Sequence, residues 1–318
     1  MYKYRVILVL TTTIIYLLVN GCSPRDNSSQ SKSASFNFRD TVRLENIDKT
    51  NDSHGNTLRI AIAAITSPRE TFTYYEEMFK YIEAHLGMKV EMIQRKTYQE
   101  INDLLKLNEV DFAFICSGGY VHGISDSAFN LLVVPERDGL RKYKSYIIVH
   151  KDSEIQIFDE LRGKRFAFTD PLSSAGTIYP TKRVGELNSN INDFFASYIY
   201  TYAHDNSIQI VSKQMVEAAA VNSLVFDYLR TVSPERTKNI RIIETSEWLG
   251  MPPVVIAHGV KDDLRARIQN VFLNIHKDEA SRKVLEKLMI DRYVVENDTI
   301  YNSVRDMVDF ISFSNDSL

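Results

Sequence analysis

The chain has 318 residues, 44% of them hydrophobic, which is enough for one large or two medium cores. Its net charge of −3 provides no general attraction to nucleic acid or to an anionic membrane surface, so any anion specificity must be local. There are only two cysteines, Cys22 and Cys116, and the reading of the N-terminus below engages the first, leaving no pair for an intramolecular disulfide.

At the N-terminus, Lys3 and Arg5 precede an apolar run from Val6 to Val19, and Val19-Asn20-Gly21-Cys22 forms a small-residue cleavage site ending in cysteine. The run is too short to span a bilayer and is flanked as an export signal is, which predicts a lipoprotein signal peptide over residues 1–21. Cys22 then becomes the acylated N-terminus, and two chains suffice for stable anchoring in the bilayer. The expected location is exported, lipid-anchored on the outer face of the cytoplasmic membrane or in the periplasm. Residues 22–56 are rich in Ser, Asn, Asp and Lys without sustained apolar period and read as a disordered tether.

Folded sequence is expected from Leu58, where Leu58 to Ala64 is an apolar run suited to a strand buried on both faces. Ser67-Pro68-Arg69-Glu70 offers a capping box with proline at the first helical position. Phe72, Tyr75, Phe79, Ile82 and Leu86 then recur at helical spacing. The alternation continues with strand Lys89 to Ile93, a helix from Tyr98 to Leu107, strand Asp111 to Cys116, and strands near Leu131 to Val134 and Ser145 to Val149. A second series follows: strand Arg165 to Thr169, a helix from Thr177, strand Tyr198 to Tyr202, a helix from Asn206, strand Ala218 to Val221, helix Leu224 to Arg230 and strand Ile240 to Glu244. After Pro252-Pro253 come strand Val254 to Ala257 and helices from Lys261, Lys277 and Tyr301. Two α/β units with a returning C-terminal segment predict two lobes joined by crossing strands: residues 57–148 plus 252–318 as lobe 1, and residues 149–251 as lobe 2.

In open α/β sheets ligands bind beyond the carboxyl ends of strands, where helix N-termini present unpaired N–H groups and the positive end of the dipole. The loops there hold Thr66-Ser67, Thr97-Tyr98, Ser117 in Cys116-Ser117-Gly118-Gly119, Asp170 to Gly176, His204-Asp205 and Asn222-Ser223. Such residues are also ordinary helix caps; it is their coincidence that favours a shared anion site. Ser173-Ser174-Ala175-Gly176 is the sharpest, with two hydroxyls and successive N–H groups able to meet one tetrahedral oxyanion, though the Walker pattern with its lysine is absent. His204 would donate a charge-assisted bond to an anion unless it is structural. Asp205 would accept a bond from a protonated phosphorus oxygen and repel sulfate, or else cap a helix. Tyr98 and Tyr143 flank predicted strand ends within reach of a ligand oxygen. Cys116 reads as a buried small residue before a nucleophile. No G-x-S-x-G, H-E-x-x-H, C-x-x-C or G-x-G-x-x-G occurs, so no catalytic residue, metal or cofactor is expected.

Several stretches together resemble the phosphonate-binding family of periplasmic solute-binding proteins, which have the two-lobed type II periplasmic binding protein fold, each lobe a mixed, mostly parallel sheet flanked by helices. They are Ile60-Ala61-Ile62 with Thr66-Ser67-Pro68, Lys96 to Ile101, Val110 to Phe114, Tyr143 to Val149, Leu161 to Lys164, Phe168 to Ser174, His204 to Ser207 and Pro252 to Val255. The resemblance implies a small phosphorus oxyanion (phosphate, phosphite or phosphonate) held by Ser173, Ser174, Tyr98, Tyr143 and His204. Its partners would be an ABC permease and ATPase, with the binding protein a monomer. The family's third hydroxyl in the Ser-rich loop is Ala175 here, the aromatic after its glycine is Thr177, and carboxylates suited to an ammonium are replaced by Leu224 and Met251, so an aminoalkyl phosphonate is not the expected ligand. Two other readings stand beside the transport receptor: a ligand-sensing binding protein for a membrane histidine kinase, and an enzyme acting on a phosphorylated small molecule, for which no nucleophile or metal set is recognisable.

Overall fold

The computed structural model describes residues 56–315; the expected signal peptide, Cys22 and the tether up to residue 55 lie outside the described residues. The buried runs read from the sequence become strands: β1 (Thr57–Ile62), β2 (Lys89–Gln94), β3 (Phe112–Phe114) and β4 (Phe129–Glu136). Between them run α1 (Pro68–Leu86), α2 (Tyr98–Lys106) and α3 (Ser117–Ser125). Proline opens α1, and a capping box between Thr97 and Glu100 opens α2. Helix α3 was unforeseen because its first turn carries Gly118 and Gly119, which read as a loop.

The chain then crosses to a second sheet through β5 (Lys142–Tyr143) into β6 (Ser145–His150). There follow β7 (Arg165–Phe168), a π-helical turn Ser174–Ile178 running into α4 (Tyr179–Glu186), the short α5 (Ile191–Phe194), β8 (Ser197–Tyr200), α6 (His204–Ser212), β9 (Ala218–Asn222), α7 (Ser223–Val232) and β10 (Ile240–Thr245). It returns through β11 (Leu249–Gly250) to β12 (Val254–Ala257), α8 (Asp262–Asn274), α9 (Glu279–Lys287), β13 (Arg292–Val294) and α10 (Asn302–Asn315). The two crossings pair with each other, β11 against β5, with Leu249 opposite Tyr143.

The first sheet has the order β13-β4-β12-β3-β1-β2 and the second β10-β6-β9-β7-β8. Residues 145–148, assigned to lobe 1 from the sequence, therefore lie in the second sheet, because β6 pairs with β9 and β10. Both sheets are mixed, with fewer parallel pairs than expected. Parallel pairing is confined to β1 with β2 and β3, and to β7 with β8 and β9, since the strands next to each crossing run back antiparallel. Strand β9 is buried along its whole length, with α6 and α7 packed on one face through Ile208, Val211, Phe226 and Leu229. In the first lobe Phe112, Phe114 and Phe272 meet edge to face beneath β3. Among the described residues no helix is long and apolar enough to cross a membrane.

The lobes touch where α3 of the first meets the Pro171–Ser174 loop of the second. A Cβ on Gly118 would stand 2.1 Å from the Leu172 carbonyl oxygen and 2.9 Å from Ser174 N. Both are backbone atoms and neither can swing aside. Gly118→Ala is therefore expected to hold the lobes apart while both keep their folds. It should raise the radius of gyration in small-angle scattering and weaken ligand binding roughly tenfold or more, as typical overpacking energies predict.

Candidate functional site

Six of the residues singled out from the sequence meet at one place. Ser117 and Ser174 stand at the N-terminal starts of α3 and of the π-helical turn, on opposite lobes, with their hydroxyls 2.7 Å apart. The Tyr143 hydroxyl, on the first crossing, lies 3.0 Å from Ser117 Oγ. Ser173 caps the turn by accepting from Gly176 N at 3.0 Å, and the Ala175 carbonyl accepts from the Ser145 hydroxyl at 2.6 Å. Tyr98 completes the group: its ring is buried, and its hydroxyl lies against Ser173 without a hydrogen bond of good geometry. Burial, with Cys116, Asp170 and Tyr143 nearby, holds the Tyr98 phenol well above its ordinary range, so it is a neutral donor. Burial does the same to Tyr143.

The other five sit further along the cleft, where α1, α6 and α7 begin. His204 N donates to the Ile65 carbonyl across the lobes at 3.0 Å, and Ser67 N donates to Asp205 Oδ1 at 2.9 Å. Thr66, Asp205 and Asn222 line a cavity of about 140 Å³. Thr169 joins the two groups. Its hydroxyl lies 3.1 Å from His204 Nδ1, and its side chain occupies the space that a Cβ on Gly176 would need.

Two expectations change with this geometry. His204 Nδ1 accepts from Asn222 N at 3.1 Å, so the ring proton sits on Nε2. Burial pushes the imidazole down to about 3, making His204 a neutral donor rather than a charged one. Asp205 is already engaged: besides Ser67 N, its Oδ2 accepts from Arg236 at 3.3 Å. It ties the lobes together through these bonds.

Asp170, quoted from the sequence as part of a loop and not as a site residue, does similar work. Oδ1 accepts from Leu172 N at 2.8 Å, the local Asx turn expected of Asp-Pro, while Oδ2 reaches 72 residues away to Tyr98 N at 3.1 Å. Burial raises its pKa, and the two N–H bonds oppose that rise. Ser145 and Thr169 were not named as site residues either, although both lie in stretches quoted for the resemblance. Cys116 is buried with its sulfur 3.9 Å from Ser174 Oγ, a packing position beside the hydroxyls. Among the described residues no group of His, Cys, Asp and Glu could hold a metal ion. The arrangement is one of neutral hydroxyls and helix starts, suited to holding an anion.

Two mixed α/β lobes, paired crossing strands and helix starts gathered at the cleft define a type II periplasmic binding protein. The fold matches the binding-protein component of an ABC phosphonate transporter from Pseudomonas aeruginosa with a TM-score of 0.77, at 18% identity over 81% of this chain and 87% of that one. It also matches PhnD1 of Prochlorococcus marinus in complex with methylphosphonate, with a TM-score of 0.73 at 17% identity over 81% and 98%. The chain belongs to the family described as ABC transporter, phosphonate, periplasmic substrate-binding protein, whose model matches residues 60–301. Among curated relatives, the phosphonates-binding periplasmic protein of Escherichia coli (strain K12) is 25% identical over 236 residues, 73% of this chain and 70% of that protein. The probable phosphite-binding protein PhnD1 of Prochlorococcus marinus (strain MIT 9301) is 23% identical over 195 residues, 56% of this chain and 64% of its own length. The phosphate-import protein PhnD of Mycolicibacterium smegmatis is 28% identical over 171 residues, 52% and 48%.

The His204 environment makes a prediction about acid stability. Unfolded, the imidazole titrates near 6.5; folded, near 3, so between these values the unfolded chain binds a proton that the folded one does not. Its contribution to stability is complete above about pH 6.5 and is lost as pH falls towards 3. His204→Gln should flatten the fall of melting temperature between pH 7 and 4; profiles parallel to the parent would mean that the ring is not held neutral.

Proposed function

We propose that the chain is a solute-binding lipoprotein that captures a small phosphorus oxyanion, phosphate, phosphite or phosphonate, in the interlobe cleft and presents it to an ABC permease and its ATPase. The observation that carries this reading is the buried Tyr98 hydroxyl without a partner, beside Ser117, Tyr143, Ser173 and Ser174. An unpaired buried donor costs roughly 1–3 kcal/mol, and a ligand oxygen is the natural acceptor for it. Hydroxyls and helix starts from both lobes favour a compact anion that can be touched from all sides. The family, and relatives named for phosphonate, phosphite and phosphate, support the same ligand class. Micromolar capture needs roughly −8 kcal/mol, which a few hydrogen bonds to a charged ligand in a dry cleft supply.

A thermal-shift panel with phosphate, phosphite, methylphosphonate, sulfate and taurine tests the reading. A ligand at 100 times its dissociation constant should stabilise by about 2.7 kcal/mol. Tyr98→Phe separates a ligand-facing hydroxyl from a structural one: it should leave the ligand-free protein as stable or more stable while weakening oxyanion binding. Loss of stability in both states would count against the assignment.

The lipid anchor rests on Val19-Asn20-Gly21-Cys22. Cys22→Ala should abolish acyl labelling and leave the protein out of the membrane fraction; unchanged membrane association would exclude acylated Cys22 as the anchor.

A further inference from the structure

The two crossings leave the first sheet at β4 and β12 and the second at β6 and β10, so the strands farthest from them are the edge strands β2 and β8. When the lobes part about the crossings, the loops that follow these two strands separate most. Those loops hold Lys96 and Tyr202, and the Lys96 ammonium stands 4.2 Å from the centre of the Tyr202 ring, across the cleft. We propose that this pair is the gate of the cleft: Lys96 draws the anion to the open mouth, and on closure its ammonium locks against the Tyr202 ring and slows the anion's escape. This rests on the oxyanion reading above and adds to it the residues that govern entry and exit.

Position supports the role. Lys96 is exposed and lies two residues before Tyr98, whose N–H is held by Asp170 at 3.1 Å. Tyr202 N donates to the carbonyl of Thr169, the neighbour of Asp170, at 2.8 Å. The pair therefore stands on the solvent side of the buried tie between Tyr98 and Asp170. The backbone of Tyr202 points the same way. Its φ is +58°, in the left-handed region where a bulky side chain is an outlier. Such strain persists where the surroundings over-determine it, and it gathers at clamps and switches.

Charge gives the other half. The hydroxyl cluster has no charged side chain among its described members, so long-range attraction for an anion has to come from outside it. A ring face attracts an ammonium without cancelling its field, which leaves the Lys96 charge available to an approaching anion. Arg95 adds a second cation beside it. The carboxylates on the flanking segments are held by donors: Glu100 by the Thr97 N–H and hydroxyl, Asp170 by the N–H groups of Tyr98 and Leu172. An exposed cation–π contact is weak, so the gate delays release without sealing the cleft.

The test is stopped-flow kinetics of the full chain in non-ionic detergent with methylphosphonate, phosphite and phosphate. Trp248, the single tryptophan, precedes the second crossing and reports on its movement from beneath the Lys144 ammonium, 4.5 Å from its ring. Isothermal titration gives the dissociation constants independently of that signal. Association by the parent should fall as salt rises; Lys96→Met should slow it roughly threefold at low salt and weaken the salt dependence. Tyr202→Leu, which keeps the backbone strain and loses the ring, should instead speed dissociation about two- to fivefold, with the dissociation constant rising to match. Lys96→Met should speed dissociation equally, and the double variant no further, since one contact cannot be lost twice. Lys96→Arg and Tyr202→Phe, which keep the cation and the ring, should restore the parent rates. Single variants with the parent's dissociation constants and salt dependence overturn the gate and leave the oxyanion reading standing. Equal effects of Tyr202→Phe and Tyr202→Leu also overturn it, because the ring face would then not be the group at work. Absence of binding by all three compounds overturns the oxyanion reading, and this proposal with it.

Discussion

Two carboxylates of the second lobe hold backbone N–H groups at the helix starts of the first: Asp205 holds Ser67 and Asp170 holds Tyr98. Groups at helix N-termini have no intrahelical acceptor, and in a closed cleft water cannot serve. The rest of the site depends on this pairing. It brings α2 against the Pro171–Ser174 loop, which places the Tyr98 ring beside Ser173 and leaves α3 so close to that loop that position 118 has no room for a side chain. The exchange is also nearly balanced. When the lobes part, the same N–H groups and carboxylates return to water, and the net worth of a hydrogen bond to a charged group is about 1.5–3 kcal/mol. Burial raises the Asp170 pKa, so part of that gain is offset by desolvation. Each bond is thus a modest term, and under the oxyanion reading a ligand with contacts on both lobes can shift the population of the closed arrangement.

Under the oxyanion reading, the hydroxyl cluster would meet negative charge without a charged side chain among its described members. Arg236 is engaged with Asp205, and His204 is held neutral by burial and by the Asn222 N–H. What remains are rotatable hydroxyls and helix starts. Ser174, Ser117 and Tyr143 form a chain in which each oxygen can donate or accept. Such a chain can turn its protons towards an incoming oxyanion with no movement of heavy atoms. Selectivity in a site of this kind comes from shape and from the number of donors that reach the ligand, since the attraction is not carried by an ion pair.

Much of this was legible in the sequence, and the reasons differ by residue. The strands showed themselves as short apolar runs because both faces of each sheet are covered, as the fully buried Ala218–Asn222 illustrates. Helix starts were visible through proline and hydroxyl residues, which placed Ser173 and Ser174 correctly next to a turn. Tyr98 and Tyr143 followed from their positions at strand ends. What could not be read was every interaction that joins distant segments. Asp170 looks locally complete as an Asx turn, and nothing near it announces that its second oxygen reaches Tyr98. Sequence left His204 open between a charged donor and a structural residue because its acceptor role is set by Asn222 and Thr169, 18 and 35 residues away. Helix α3 was hidden by Gly118 and Gly119, and the first of these is there for the approach of the other lobe rather than for local flexibility.

The unpaired Tyr98 hydroxyl links these points. The Tyr98 hydroxyl is buried against Ser173 without a hydrogen bond of good geometry, while Ser117 and Ser174 lie within hydrogen-bond distance of each other across the lobes. The closed state therefore contains one unfavourable term that an open state, in which water reaches the phenol, does not. Under the oxyanion reading, a bound ligand removes that term by accepting from Tyr98, and only when α2 and the Ser173–Gly176 loop are together. Affinity and closure are then the same event, since the group that rewards binding is unsatisfied only in the closed geometry. A membrane partner that recognises the closed arrangement would in that way recognise occupancy, without touching the ligand itself.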